Sequence, residues 1–312
     1  MEREDPTALK QRARDLGFLR VGVAAAGRSP HADPFLEWLA KGRIGSMEYL
    51  ARNVARRVDP RETVPGARSV IALSLPYEDR VEFPDDPSHG KVARYARGRD
   101  YHKVIPPLLE ELCALVRDDG RWRAWYSVDA GPILERDWAA AAGVGWIGKN
   151  ALIVDREVGT YTFLAVIVTD RAYAVDAPAT DHCGTCRACL DACPTNAFVA
   201  PHSLDAERCI SYLTIEHRGA LPSELAGKLD GWVFGCDVCQ EVCPYNQRRQ
   251  RPHPEVLPDL TPRSLPTDLT TLAGLDRDGF VTAFAGTALV RTGVEGLRRN
   301  ARANLGASGD PP

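Results

Sequence analysis

The sequence predicts a mixed α/β (α+β) domain of roughly 170 residues, then a compact cysteine-rich segment, then a short helical tail. Three observations carry this expectation. Residues 1–175 alternate strand-like and helix-like patterns. Residues 183–244 hold eight of the nine cysteines. The remainder is proline-rich and then helical in pattern. The boundaries drawn from composition are 1–175, 176–250 and 251–312.

Each element has a local cause. Asp5 followed by Pro6 has the form of an N-cap with proline at the first helical position, which opens a helix to about Asp15. Apolar and β-branched runs at 19–24, 69–75, 122–128 and 161–168 read as strands. Helical periodicity appears at 105–117 and 132–142, the latter closed by Gly143. Strands interleaved with helices point to an α/β layer architecture. Residues 175–181 form a linker, 252–266 read as irregular surface chain, and 268–305 contain two short helical patterns. The final GASGDPP is expected to fray.

Composition is that of a globular protein, 44% hydrophobic and 26% charged, with a net charge of −3. No apolar run approaches the ~18 residues of a membrane span, and MEREDPTALK lacks the apolar stretch of a signal peptide. A cytoplasmic location without membrane attachment is expected. There, clustered cysteines serve as metal ligands or redox groups rather than disulfides. No GxGxxG follows a strand and no GxxxxGK[ST] is present, so nucleotide binding lacks a motif.

The cysteine segment opens with Cys183-x2-Cys186-x2-Cys189-x3-Cys193-Pro194. This is the ferredoxin run, in which three thiolates hold one [4Fe–4S] cubane and the fourth reaches a second. The competing structural reading is a zinc site. A second run, Cys236-x2-Cys239-x3-Cys243-Pro244, lacks a leading cysteine, because Val233 stands at that position. Cys209 is available to replace it. Crossed ligation then assigns Cys183, Cys186, Cys189 and Cys243 to cluster one, and Cys193, Cys209, Cys236 and Cys239 to cluster two. Cys113 remains and reads as a buried, inert thiol.

Four segments outside the simple ferredoxin pattern accompany it: RGRDYHKV (97–104), VDAGPILERDWAAAAGVGWIGKN (128–150), RCISYLTIEHRG (208–219) and FGCDVCQEVCPYN (234–246). Together they resemble bacterial epoxyqueuosine reductases over about residues 5–250. The resemblance implies reduction of the epoxide of epoxyqueuosine to queuosine at the wobble position of tRNA. It also implies cobalamin fed with electrons through two [4Fe–4S] clusters. Asp129 matches the family's proton donor; read alone, between a strand and a helix, it reads first as a cap of the helix that follows. Arg57, Ile153, Leu164, Ser211 and Asp237 match positions that contact cobalamin, with Asp129, Cys236 and Lys149 as further candidates. The histidine-donating signature Asp-x-His-x-x-Gly is broken by Ile105 after Asp100-Tyr101-His102, which fits a corrinoid held without a protein histidine below the cobalt. Those three residues otherwise read as helix capping and core packing.

The expected partners are the tRNA anticodon loop and a flavodoxin or ferredoxin donor, with the chain acting as a monomer. Some family members extend further with helical repeats. Here tRNA contact falls to arginines, with Arg218, Arg248, Arg249, Arg298 and Arg299 as candidates and Arg251, Arg291 and Arg302 nearby. Two alternatives stay open: a corrinoid reductase of a small molecule, dehalogenase-like, and a ferredoxin-type electron carrier.

Overall fold

The structure is a computed structural model that describes residues 3–78, 81–83, 86–247 and 253–307. The strands are β1 (Arg20–Ala25), β2 (Ser69–Pro76), β3 (Lys91–Val92), β4 (Ala124–Ser127), β5 (Trp146–Ile147), β6 (Ile153–Val154), β7 (Thr162–Thr169), β8 (Phe198–Ala200), β9 (Ser203–Leu204) and β10 (Trp232–Phe234). Four of them make the main sheet, in the order β1-β2-β7-β4. Every pair in it is antiparallel, with Ser69 opposite Thr169 and Ser127 opposite Val166 among the matched positions. Interleaved helices are therefore present, but the sheet is not the parallel one such alternation usually builds. An antiparallel sheet has no topological switch point, so a role for Asp129 at the end of β4 rests on the local geometry given below.

β2 is buried along its whole length because it is central and covered on both faces. One face, through Ile71, Leu73, Phe163 and Ile167, packs on Leu9 of helix Thr7–Asp15 and on Ile105, Leu109 and Leu112 of helix Tyr101–Arg117. The other face, through Val70, Ala72, Val166 and Val168, packs on Ile133 and on Trp138 of helix Glu135–Ala141. Side chains alternate across a strand, so one short run feeds both cores.

Helix Tyr101–Arg117 begins four residues earlier than its periodicity suggests. Asp100 caps it, its carboxylate accepting the His102 N–H at 3.0 Å. Pro106 and Pro107 lie inside it, where each removes one backbone donor. They hid the true start from a pattern reading. Cys113 lies on this helix, fully buried in the first core, and burial pushes its thiol up to about 12.

The segment after 252 is irregular up to a single turn at Pro258–Leu260. Three helices follow, Leu269–Gly274, Arg277–Phe284 and Gly293–Ala307. Their apolar faces bury Phe280, Phe284, Leu297 and Ala301 against Val92, Val233 and Phe234. β10 pairs in parallel with β3, so the cysteine segment and the first 100 residues share this small core. Asn300 donates to the carbonyls of Thr214 and Val233, and Asn304 to that of Trp232. The last helix is thus hydrogen-bonded to the backbone that carries the cysteines. Among the described residues no helix is long and apolar enough to cross a membrane.

Candidate active site

Asp129 follows β4 directly and adopts a left-handed backbone, φ 59°. A non-glycine residue there is costly and persists only where its surroundings enforce it. The enforcement is visible. Ala130 N–H closes onto Val128 O at 2.6 Å, and Gly131 N–H donates to Ser127 Oγ at 3.1 Å. A Cβ at Gly131 would stand 2.3 Å from that hydroxyl oxygen, so only glycine lets the loop fold this tightly. Asp129 does not cap the next helix, which starts at Glu135 after Leu134.

Its carboxylate turns instead toward the other end of the first core. Oδ2 accepts from Tyr101 OH at 2.8 Å and from His102 Nε2 at 3.3 Å. His102 Nδ1 contacts Asp100 Oδ1 at 2.9 Å. The result is a chain, Asp100–His102–Asp129, with the Tyr101 ring tilted against the imidazole at 4.0 Å. The outer end is reachable, because 66% of the Asp129 side chain is open. Dense surrounding protein pushes the Asp129 carboxyl up, but the bonds from His102 and Tyr101 outweigh this and hold it below the usual range. The bonds to Asp100 and Asp129 raise His102 to about 9. At neutral pH the proton of this chain therefore sits on the imidazole.

Two further groups lie beside the Asp129 loop. Glu135 is pushed up to about 7, first by burial and then by the charge of Asp129, and accepts from Ser127 Oγ at 3.1 Å. Arg57 is 8% exposed. Its two terminal nitrogens donate to Gly131 O at 3.3 Å and Tyr49 O at 3.2 Å, while its Nε is buried without a protein partner. Ile153 and Leu164 belong to the apolar cluster that includes Ile133, on the same loop as Asp129.

Asp237 is 1% exposed. Burial pushes it up to about 6, and it accepts from Arg94 N–H at 2.8 Å and Gln240 Nε2 at 3.1 Å. Tyr95 lies within the field of both Asp129 and Asp237, which with burial raise its hydroxyl. The Tyr95 ring stands edge-on to that of Tyr101, at 6.1 Å and 74°.

The thiols fall into two groups. Burial raises Cys189, whose thiol neighbours are Cys243, Cys183 and Cys186. Burial raises Cys236, whose thiol neighbours are Cys209 and Cys193. Cys239, also raised by burial, has Cys236 and Cys209 beside it and Cys189 farther off. Ser211 and Tyr212 donate their N–H groups to Cys209. No three His, Cys, Asp or Glu side chains among the described residues converge on a single ion. The proposed cluster-two thiols Cys209 and Cys236 therefore adjoin Ser211 and Asp237.

Other positions lie elsewhere. Lys149 Nζ donates to the carbonyls of Gly184 and Cys186 at 2.6 and 2.8 Å, on the first cysteine loop rather than near Asp129. Arg299 points inward and donates to Leu213 O, His217 O and Gly219 O. It organises the backbone of 213–219 rather than a basic surface. Arg298 pairs with Glu295. Arg218 and Arg291 are exposed, and Arg291 pairs with Glu216 and covers the Tyr49 ring at 5.6 Å. Arg248 and Arg249 lie outside the described residues.

Two family models match the chain. One, described as Epoxyqueuosine reductase QueG, DUF1730, matches residues 57–130; the other, a 4Fe-4S double cluster binding domain, matches 182–246. Similar proteins include the epoxyqueuosine reductase of Gloeobacter violaceus, 44% identical over 98% of this chain and 98% of its own length. That of Synechocystis is 44% identical over 91% of this chain and all of its own. The chain belongs to the epoxyqueuosine reductase family. Among solved structures, an epoxyqueuosine reductase with an epoxyqueuosine-modified tRNA-Tyr stem loop superposes with TM-score 0.88 at 31% identity, covering 96% of this chain and 80% of that one. The Bacillus subtilis epoxyqueuosine reductase superposes with TM-score 0.86 at 30% identity, over the same shares. In this member of the family, the first matched segment spans Arg57 to Asp129 and the second spans all eight clustered cysteines.

Sequence reasoning missed Glu135 and left Asp100, Tyr101 and His102 as packing. Nothing local ties His102 to a residue 27 positions later. The only sequence hint was the Asp-x-His spacing at a helix start.

Proposed function

We propose that this chain reduces epoxyqueuosine to queuosine in tRNA, holding cobalamin in the recess at Asp129 and two [4Fe–4S] clusters in the cysteine segment. The observation that carries the reading is the chain Asp100–His102–Asp129 with its exposed outer carboxylate, in a protein that also holds a family-matched double-cluster segment. The reductase solved with an epoxyqueuosine-modified stem loop supports tRNA as the substrate.

The residues present fit cobalamin. The unpartnered Arg57 Nε offers a buried donor to an amide-bearing ligand. Ile153 and Leu164 supply apolar walls, and Ser211 and Asp237 flank the far side. Cys183, Cys186, Cys189 and Cys243 would hold one cluster, and Cys193, Cys209, Cys236 and Cys239 the other. When bound, these groups supply one-electron delivery and a low-valent cobalt able to reduce an epoxide carbon.

The chain's own work is proton management. Converting an epoxide to an alkene and water takes two electrons and two protons. The proton starts on His102 Nε2, passes to Asp129 and from it to the departing oxygen, while Asp100 keeps the imidazole oriented and charged. Tyr101 OH fixes the same carboxylate oxygen, so the acid is already aligned. The target nucleotide comes from a single-stranded anticodon loop, where unstacking is cheap. Arg218, Arg291 and Tyr49 provide a basic, aromatic rim for the loop. A flavodoxin or ferredoxin supplies the electrons, and the chain works as a cytoplasmic monomer.

Protein purified without oxygen is expected to take up one corrinoid and bind an epoxyqueuosine-bearing anticodon stem-loop, more weakly as salt rises. Arg57→Ala should lower corrinoid retention while leaving iron content intact. A chain that holds iron but retains no corrinoid would overturn the recess assignment. The thiol grouping makes its own prediction, about eight irons per chain. Cys209→Ala should lose cluster two, whereas Cys113→Ala keeps all the iron. Full iron in the first variant, or a deficit in the second, contradicts the crossed scheme.

A further inference from the structure

The hairpin β5–β6 is strapped to the first cysteine loop more tightly than either strand length requires. Trp146 pairs with Val154 and Ile147 with Ile153. Beyond Ile147, Lys149 Nζ ties to the carbonyls of Gly184 and Cys186. His202 closes the arrangement from the other side, its N–H on Lys149 O at 3.0 Å and its Nδ1 at 3.0 Å from Gly148 O. At the base of this strap Trp146 is 3% exposed. Its ring is held edge-on between His182, at 5.2 Å and 78°, and Tyr245, at 4.8 Å and 76°. Tyr245 OH in turn donates to His182 O at 3.2 Å. Within this clamp the indole has little freedom, and its Nε1–H donates to Cys183 Sγ at 3.4 Å.

We propose that Trp146 sets the reduction potential of cluster one through this indole N–H to Cys183 bond. The proposal rests on the two-cluster reading above and adds a role for a residue of the first domain. Its physics is electrostatic. Taking one electron from a flavodoxin- or ferredoxin-class donor, which is itself oxidised by one electron, makes the cluster and its thiolates more negative by one charge. A fixed N–H dipole aimed at a ligand sulfur stabilises that added charge more than the oxidised state, so it raises the potential. Backbone N–H donors to cysteine sulfur come with the loop fold itself, as with Tyr245 and Asn246 on Cys243. The indole donor does not. It is brought by Trp146, more than 30 residues upstream of the loop, and Cys183 receives it from an indole held by two rings, His182 and Tyr245. In the other group of thiols Cys193 accepts the Ala197 N–H at 3.3 Å and has Thr195 Oγ1 at 3.6 Å, both contributed from its own loop. The indole bond therefore adds a donor from a distant hairpin to the thiol group in which Cys186 is exposed.

The test is an electron paramagnetic resonance redox titration of the reconstituted full chain and of Trp146→Phe, after iron analysis of both. Iron far below two cubanes in the native chain would count against the two-cluster reading, whereas the outcomes below concern Trp146 alone. With iron retained, one of the two one-electron steps should move to lower potential. The reduced fraction at a fixed donor ratio should fall by about tenfold, equivalent to about 59 mV for a one-electron couple, while the other step stays in place. Unchanged steps, or equal movement of both, overturn the proposal. If Trp146→Phe loses its iron, native protein labelled with 15N in the indole ring decides. A nitrogen hyperfine coupling on the reduced cluster supports the bond, and its absence overturns it.

Discussion

Asp129→Asn is expected to cut single-turnover formation of queuosine by roughly two to four orders of magnitude, the usual contribution of a positioned acid. In free energy that is about 3–5 kcal/mol of transition-state stabilisation. Asparagine keeps the shape and tolerates the left-handed backbone that Asp129 adopts. It also still accepts from Tyr101 and His102 through its carbonyl oxygen. What it cannot do is carry and release a proton. Corrinoid retention, iron content and stem-loop affinity should therefore survive, which places the loss in the chemistry. Near-native turnover in this variant would remove Asp129 from the mechanism.

His102→Gln is the second large effect, expected at about a hundredfold, and its signature lies in the pH profile. The groups facing the imidazole are Asp100, Asp129 and the Tyr101 ring. The two hydrogen-bonded carboxylates raise His102 from 6.5 to about 9. A group raised on folding stabilises fully below its unfolded value and loses that contribution as pH rises through its folded value. Asp100 is lowered, chiefly by its bond to His102, so its contribution is instead lost toward acid, below 3.8. The chain is thus intact between those limits. Turnover by the native protein should hold through neutral pH and fall above about 9. In His102→Gln that alkaline limb should vanish while the remaining rate stays low. A variant that keeps both the rate and the limb would show that the proton comes from elsewhere.

How much of this was readable in the chain depends on how local each signal is. The cysteine runs are local, since their spacing lies within single loops, and the family-matched double-cluster segment covers them; Cys209 as the substitute ligand is a proposal drawn from the missing position. The strands at 69–75 and 161–168 were readable because a central strand is apolar along its length. Their antiparallel pairing was not, because apolar periodicity carries no strand direction. The start of helix Tyr101–Arg117 was obscured by Pro106 and Pro107, although Asp100 is an ordinary cap. Arg299 shows the limit for charged residues. In sequence it belongs to a basic run, yet its three carbonyl partners lie some 80 residues earlier. Whether an arginine faces solvent or satisfies backbone acceptors is decided by tertiary contacts alone. The same holds for Asp129, whose role rests on partners from another helix.

The most direct test of the central claim is anaerobic turnover of epoxyqueuosine-containing tRNA by the reconstituted chain with a one-electron donor, read by mass spectrometry of the released nucleosides. The proposed activity predicts conversion of the epoxyqueuosine nucleoside to queuosine, lighter by one oxygen, dependent on added cobalamin and on the clusters. Recovery of unchanged epoxyqueuosine from protein shown to carry both clusters and corrinoid would contradict it.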